Sequence, residues 1–178
     1  MIAISEMTQG ELAAYIDSHL RNNGIKVVLS GGASVAIYSD HKYVSKDLDF
    51  IAQFTLDQAQ LVSVMGEIGF EQIGRYYHHS QTLYYIDFIS GPPAVGQDPI
   101  ESIHEVRFAT GTIRIISPTD SVKDRLAAYY FWGDQQSLEQ AILVVRSVPV
   151  DLESVEDWSL REGKKAEYEE FIQRLEEG

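Results

Sequence analysis

The 178-residue chain contains no cysteine. Disulfides, thiolate metal centres, iron–sulfur clusters and cysteine nucleophiles are therefore excluded. Basic residues are scarce: 14 Lys plus Arg stand against 27 Asp plus Glu, for a formal net charge of −13. Nucleic-acid affinity rests on Lys and Arg displacing counterions from phosphates, so the acidic balance argues against a long nucleic-acid footprint, though not against a local basic pocket. No apolar run approaches the roughly 20 residues of a membrane span. Met1-Ile2-Ala3-Ile4 passes directly into Ser5 and Glu6, without the charged and apolar regions of a secretory signal. The expectation is a soluble, cytoplasmic chain with no membrane partner. Hydrophobic residues at 44% and charged residues at 23% are ordinary for a globular protein, and the length suits one domain with a small helical appendage.

Thr8-Gln9-Gly10-Glu11 has the form of a capping box, and Leu12, Tyr15, Ile16 and Leu20 follow at helical spacing before Asn22-Asn23-Gly24. Residues 25–30 predict a short buried strand running into a turn at Gly31-Gly32, with a short helix over 33–38. Residues 47–52 predict a second strand. Thr55-Leu56-Asp57-Gln58 predicts another capping box, opening a helix through about Met65. Residues 70–78 and 82–90 are rich in aromatic and branched residues and predict one strand each. Gly91-Pro92-Pro93 breaks the pattern, and an exposed loop is expected as far as Pro99. Thr110-Gly111 separates two further short runs as a hairpin. Ser117-Pro118-Thr119-Asp120 supplies a cap, a proline at the first helical position and an acid in the first turn, so helices are expected from there on. The chain thus passes from mixed α and β to all-α in its last third.

Chemistry concentrates in Leu29-Ser30-Gly31-Gly32-Ala33-Ser34 and Ser45-Lys46-Asp47-Leu48-Asp49. Residues two apart on a strand share a face, so Asp47 and Asp49 project together while Leu48 packs behind them. Two carboxylates about 4 Å apart repel by roughly 4 kcal/mol at an effective dielectric near 20. A hard divalent cation offsets that repulsion; the alternative is a solvated pair of acids at a strand start. Gly31-Gly32 after an apolar strand lets backbone N–H groups face phosphate oxygens, with Ser34 adding a hydroxyl, or else forms a plain tight turn. It is neither a Walker loop nor a dinucleotide fingerprint, because the Gly-Lys-Ser/Thr and Gly-x-Gly-x-x-Gly patterns are absent. Asp87 stands inside the apolar run Leu83–Ile89, where a lone charge is costly unless it is paired or faces water. His78 and His79 are adjacent, so on a strand they face opposite ways and do not make a metal pair. Tyr129-Tyr130-Phe131-Trp132 is expected to be a helix packing face whose Trp132 end borders the pocket.

The order Gly-Gly, then Ser-x-Asp-Leu-Asp, then a single Asp on a later strand resembles the nucleotidyltransferase superfamily of DNA polymerase β, the aminoglycoside nucleotidyltransferases and the abortive-infection and toxin–antitoxin nucleotidyltransferases. The likeness covers residues 25–90 and extends more loosely to Ser117-Pro118-x-Asp120-x-x-Lys123; the small type with Gly-Gly-Ala in place of Gly-Ser is the nearest in pattern. The resemblance implies an α+β fold, a mixed twisted sheet flanked by helices, with a nucleotidyltransferase core over 1–117 and C-terminal helices over 118–178 packed on it. It implies Mg²⁺ or Mn²⁺ held by Asp47, Asp49 and Asp87, and a nucleoside triphosphate (NTP) held by Gly31, Gly32, Ser34 and Lys123, with Lys46 and Arg125 as the next candidate cations. The reaction implied is transfer of a nucleoside monophosphate to a hydroxyl on a small molecule, a protein or a tRNA. A toxin or resistance role is implied with it, and an antitoxin as a possible partner. A catalytically silent module of the same fold, binding nucleotide or protein, is the alternative.

Overall fold

A computed structural model describes residues 2–178. After a 3-10 turn at Ile4–Glu6, helix α1 spans Gln9–Asn22. Thr8 Oγ1 accepts from Glu11 N at 3.3 Å and Glu11 Oε2 accepts from Thr8 N at 2.8 Å, so the first capping box forms as expected. Strand β1 (Val27–Ser30) is buried throughout and passes without a loop into α2 (Gly31–Tyr38). Strand β2 (Asp47–Ala52) follows, and its Leu48, Phe50 and Ala52 are fully buried. Helix α3 (Gln58–Glu67) starts later than the Thr55 pattern predicts. Asp57 is its cap, accepting from the backbone N–H of Ala59 and Gln60. The Asp57 carboxylate reaches both orphan donors by itself, and no reciprocal box is needed.

The stretch 70–78 is two strands rather than one. Strand β3 (Glu71–Ile73) turns at Gly74-Arg75 into β4 (Tyr76–His78), and Gly74 takes the positive φ of +64° that this tight reversal demands. Strand β5 (Tyr85–Ile89) comes next. The expected loop to Pro99 contains a small ribbon, β6 (Ala94–Val95) with β7 (Asp98–Pro99), anchored by the buried Val95. Strands β8 (Ile103–Phe108) and β9 (Gly111–Ile116) form the hairpin about Thr110. Helices α4 (Pro118–Trp132), α5 (Gln135–Ser147), α6 (Leu152–Arg161) and α7 (Lys165–Glu177) complete the chain. Ser117 caps α4 through Asp120 N, and Gly133, at φ +66°, ends it.

The main sheet runs β3-β4-β5-β2-β1-β9-β8. The β2/β5 and β1/β9 pairs are parallel and the rest antiparallel, so the sheet is mixed as expected. One apolar cluster joins the sheet to α1 and α3 through Leu12, Ile16, Leu48, Phe50, Met65 and Ile86. A second is built by α4 to α7 around Leu126, Trp158 and Phe171. Helix α2 gives Ala33 to the first and Val35 to the second, so it joins the two. Tyr129 and Tyr130 pack inward as expected, but Phe131 is half exposed and Trp132 is 86% exposed. No helix among the described residues is long and apolar enough to cross a membrane.

Candidate active site

The strand alternation that buries Leu48 and Phe50 sends Asp47 and Asp49 out on the other face of β2. Asp87 arrives from β5, directly opposite Asp49 in the parallel register, and Ser30 lies opposite Asp49 on β1. The three acids therefore sit on two neighbouring strands with two of them in one row. The start of β2 is held firmly. Ser45 Oγ donates to Asp47 O at 3.0 Å, and Gln9 Nε2 donates to Ser45 O at 2.8 Å. Ser30 Oγ donates to Asp49 O at 3.3 Å.

Gly31 begins α2 with φ +63°, and any Cβ there would collide with Asp49 Oδ2. A Cβ on Gly32 would come within 3.2 Å of the Tyr43 ring and 3.1 Å of Ser45 Oγ. Gly31 is thus required by its positive φ and its close approach to the acid strand, and Gly32 packs tightly against the segment that leads into that strand. No side chain at the N-cap, Ser30, accepts from the first turn of α2. Backbone N–H groups at a helix N-terminus without such a cap suit an anion. Ser34, expected to reach phosphate, does not. It is fully buried, donates to Gly31 O at 2.7 Å and lies 2.7 Å from Ser121 Oγ of α4. Three residues into α2, its side chain has turned from the helix mouth into the α2–α4 contact.

Lys123 is likewise elsewhere. It is 4% exposed, and its Nζ donates to Glu101 Oε1 at 2.5 Å and to Ser154 Oγ at 2.8 Å. Helix rotation explains this. Ser121, which meets Ser34 of α2, and Arg125 are four apart on one side of α4, whereas Lys123 is about 200° from each. Arg125 is the α4 cation whose charge reaches Asp49. Burial works to lower the pKa of Arg125, but Asp124 and Asp49 outweigh it and raise it.

Asp49 has its pKa pushed up to about 6, first by burial, then by the charges of Asp87 and Asp47, with Arg125 opposing. Neither Asp47 nor Asp49 forms a salt bridge among the described residues, whereas Asp87 does. Arg75 grips both oxygens of Asp87, through Nη2 to Oδ2 and through Nε to Oδ1 at 3.4 Å. With Asp87 held toward Arg75, the acids do not close into a ready metal cluster, and the described residues contain no other. Arg75 escapes a reading of 70–78 as one strand; the glycine before it is the signal that marks a turn there. A cavity of about 670 Å³ opens where β2 and β5 begin, lined by Val44, Lys46, Leu83 and Tyr85 among others. Among the described residues, Lys46 is the only charged one in its lining. Tyr85 faces Asp47 across the β2/β5 register.

No protein-family model matches the sequence, and no curated protein matches it. The architecture does have counterparts. A crystal structure of an antigenic nucleotidyltransferase-like protein from Paracoccidioides brasiliensis superposes with a TM-score of 0.59 at 14% identity, over 78% of this chain and 75% of that one. The chain has the nucleotidyltransferase fold. The antibiotic-resistance factor ANT(2'')-Ia shares it. Its solution structure matches at a TM-score of 0.50 and 14% identity over 92% of both chains. Its crystal structure with adenylyl-2''-tobramycin matches at 0.54 and 13% identity, over 94% of this chain and 99% of that one. Within this nucleotidyltransferase fold, the two strands bearing Asp47, Asp49 and Asp87 and the glycine mouth of α2 form one continuous face.

Proposed function

We propose that the chain transfers a nucleoside monophosphate from an NTP to a hydroxyl acceptor, with Mg²⁺ or Mn²⁺ held by Asp47, Asp49 and Asp87. The observation that carries the reading is the unbalanced acid row. Asp49 stands opposite Asp87, is backed onto Gly31, and has a pKa raised first by burial and then by its acid neighbours. Fold alone does not name a reaction. A surplus of hard oxygen donors beside a helix N-terminus without a side-chain cap does point to a divalent cation and a phosphate chain together. That the fold hosts such chemistry is illustrated by ANT(2'')-Ia, seen with an adenylylated tobramycin.

The three carboxylates supply hard oxygen donors of the kind Mg²⁺ and Mn²⁺ take. Asp47 and Asp49 are unpaired carboxylates on one face, and Asp87 joins them once Arg75 lets go. Divalent cations, when bound, neutralise charge on the attacking and leaving oxygens of an in-line displacement. The chain's own residues do the rest. The N–H groups at Gly31 and Gly32 hold phosphate oxygens, and Arg125 supplies the counter-charge that Lys123 cannot. Asp87 takes the proton of the acceptor hydroxyl as its oxygen bonds to the α-phosphorus. The bond from that phosphorus to the bridging oxygen breaks, and pyrophosphate leaves toward the mouth of α2. The acceptor enters from the cavity at Lys46, Leu83 and Tyr85, on the strand-entry side of Asp47.

A second reading has an observation in its favour. The Arg75–Asp87 pair neutralises one acid within the chain, as a silent binding module would. One experiment separates the two. The protein is incubated with each α-labelled NTP, Mg²⁺ or Mn²⁺, and pools of small molecules, proteins or tRNA. Pyrophosphate release with label moving to an acceptor supports the transferase. Binding of the NTP with no release under any metal and acceptor supports the silent module.

A further inference from the structure

Arg75 occupies an unusual place for a residue that grips a site acid. It is the second residue of the two-residue β3–β4 turn, and its side chain is 66% exposed while that of Asp87 is 7% exposed. Its guanidinium lies 5.2 Å from the centre of the Tyr76 ring and, among the described residues, makes no salt bridge other than that to Asp87. Asp87, for its part, spends both oxygens on Arg75. A dication at Asp87 would sit against that guanidinium, so the two cations exclude one another by simple repulsion. An arginine rooted in a solvent-facing turn is rehydrated when it lets go, and the buried carboxylate it leaves is the charge that an arriving dication neutralises. The aromatic ring beside it keeps the freed guanidinium near the site.

We propose that Arg75 is a removable counter-ion of the metal site: it holds Asp87 in the metal-free chain and competes with the divalent cation for that carboxylate. Arg75 is then a positioning residue that sets metal affinity and withholds Asp87 until metal and triphosphate arrive together. This rests on the reading of Asp47, Asp49 and Asp87 as metal ligands. In the Lys123–Glu101 pair the cation is the buried partner, whereas in the Arg75–Asp87 pair the cation is the exposed partner and is placed to move away.

The test is a double-mutant cycle read by calorimetric titration of Mn²⁺, with no turnover involved. Wild type, Arg75→Ala, Asp87→Asn and the combined variant are compared, with Arg75→Gln as a second replacement that keeps the turn polar. Arg75→Ala and Arg75→Gln are expected to tighten Mn²⁺ binding at least fivefold in the wild-type background and by less than twofold when Asp87 is Asn. An equal gain in both backgrounds overturns the proposal, because the effect would then be long-range charge alone. No gain in either background overturns it too. If wild type binds no Mn²⁺, or binds it undiminished after Asp47→Asn with Asp49→Asn, the metal site itself fails and the proposal falls with it.

Discussion

Asp49 and Glu101 both stand near a cation of α4, and their environments treat them oppositely. Glu101 receives hydrogen bonds from Lys123 and Ser154, which hold its carboxyl below the usual range. The same corner is knitted further by Asp120 Oδ2, which accepts from Glu101 N at 2.8 Å and from Ser117 Oγ at 2.9 Å. Asp49 has no such partner among the described residues; burial and then the neighbouring acids drive it up to about 6. Charge in the first region is closed on itself and serves to join α4, α6 and the start of β8. Charge in the second is left open, at a standing cost to the free chain. Open charge of this kind is what a ligand of opposite sign can repay, and perturbed acids cluster at functional sites for that reason.

The largest contrast should come from removing the open charge. Asp47→Asn with Asp49→Asn is expected to lower transfer at least a thousandfold, about 4 kcal/mol of transition-state stabilisation, with circular dichroism unchanged. Retained transfer would mean that the open acids are not the site. Next comes the closed region. Lys123→Ala leaves Glu101 and Ser154 facing an empty place and should cost about 2 kcal/mol, or roughly 4–8 °C in melting temperature. The triphosphate KM of the folded fraction should not move. Arg125→Ala should do the reverse, raising that KM about tenfold. A KM defect in the Lys123 variant would erase the distinction between the two regions.

A pH series sharpens the comparison at a smaller scale. The folded pKa of Asp49 lies above its ordinary value of 3.8, so its protonated form favours folding. That favour is complete below about pH 3.8 and is lost as pH rises through about 6. Asp49→Asn should therefore stabilise the metal-free protein by about 1–3 kcal/mol at pH 8 and by almost nothing near pH 4, read by denaturant melts. Glu101 has the opposite sign: its contribution is present at neutral pH and fades as pH falls through its lowered pKa. The smallest effect belongs to Ser34→Ala, expected to cost about 1 kcal/mol through the lost Gly31 and Ser121 partners and to leave nucleotide binding unchanged.

Much of the fold was legible because it follows from local rules. Period-two burial in 47–52 placed two acids on one face, and the Thr8 and Ser117 caps marked their helices. The glycines at 31 and 32 were legible as a close approach, although what they approach, Asp49 and Tyr43, is a tertiary fact. Lys123 and Ser34 were misplaced for one shared reason. The direction of each side chain depends on which neighbour its helix packs against, and that is a tertiary fact. Arg75 was missed because 70–78 is uniformly suited to strand, and only Gly74 interrupts it. An ion pair between a turn and a strand twelve residues away leaves no pattern in the sequence.

The most direct test of the open acid row is a melting experiment with a crossing signature. Wild type and the Asp47→Asn, Asp49→Asn double variant are melted at pH 8, with and without Mg²⁺ plus each NTP. The double variant should melt higher than wild type in the absence of ligand, since mutual repulsion is gone. With Mg²⁺ and the right triphosphate, wild type should rise and the double variant should stay where it was, because only a chain that binds ligand in its folded state gains stability from it. A double variant that starts no higher than wild type, and then gains as much from Mg²⁺ and triphosphate, would contradict the account.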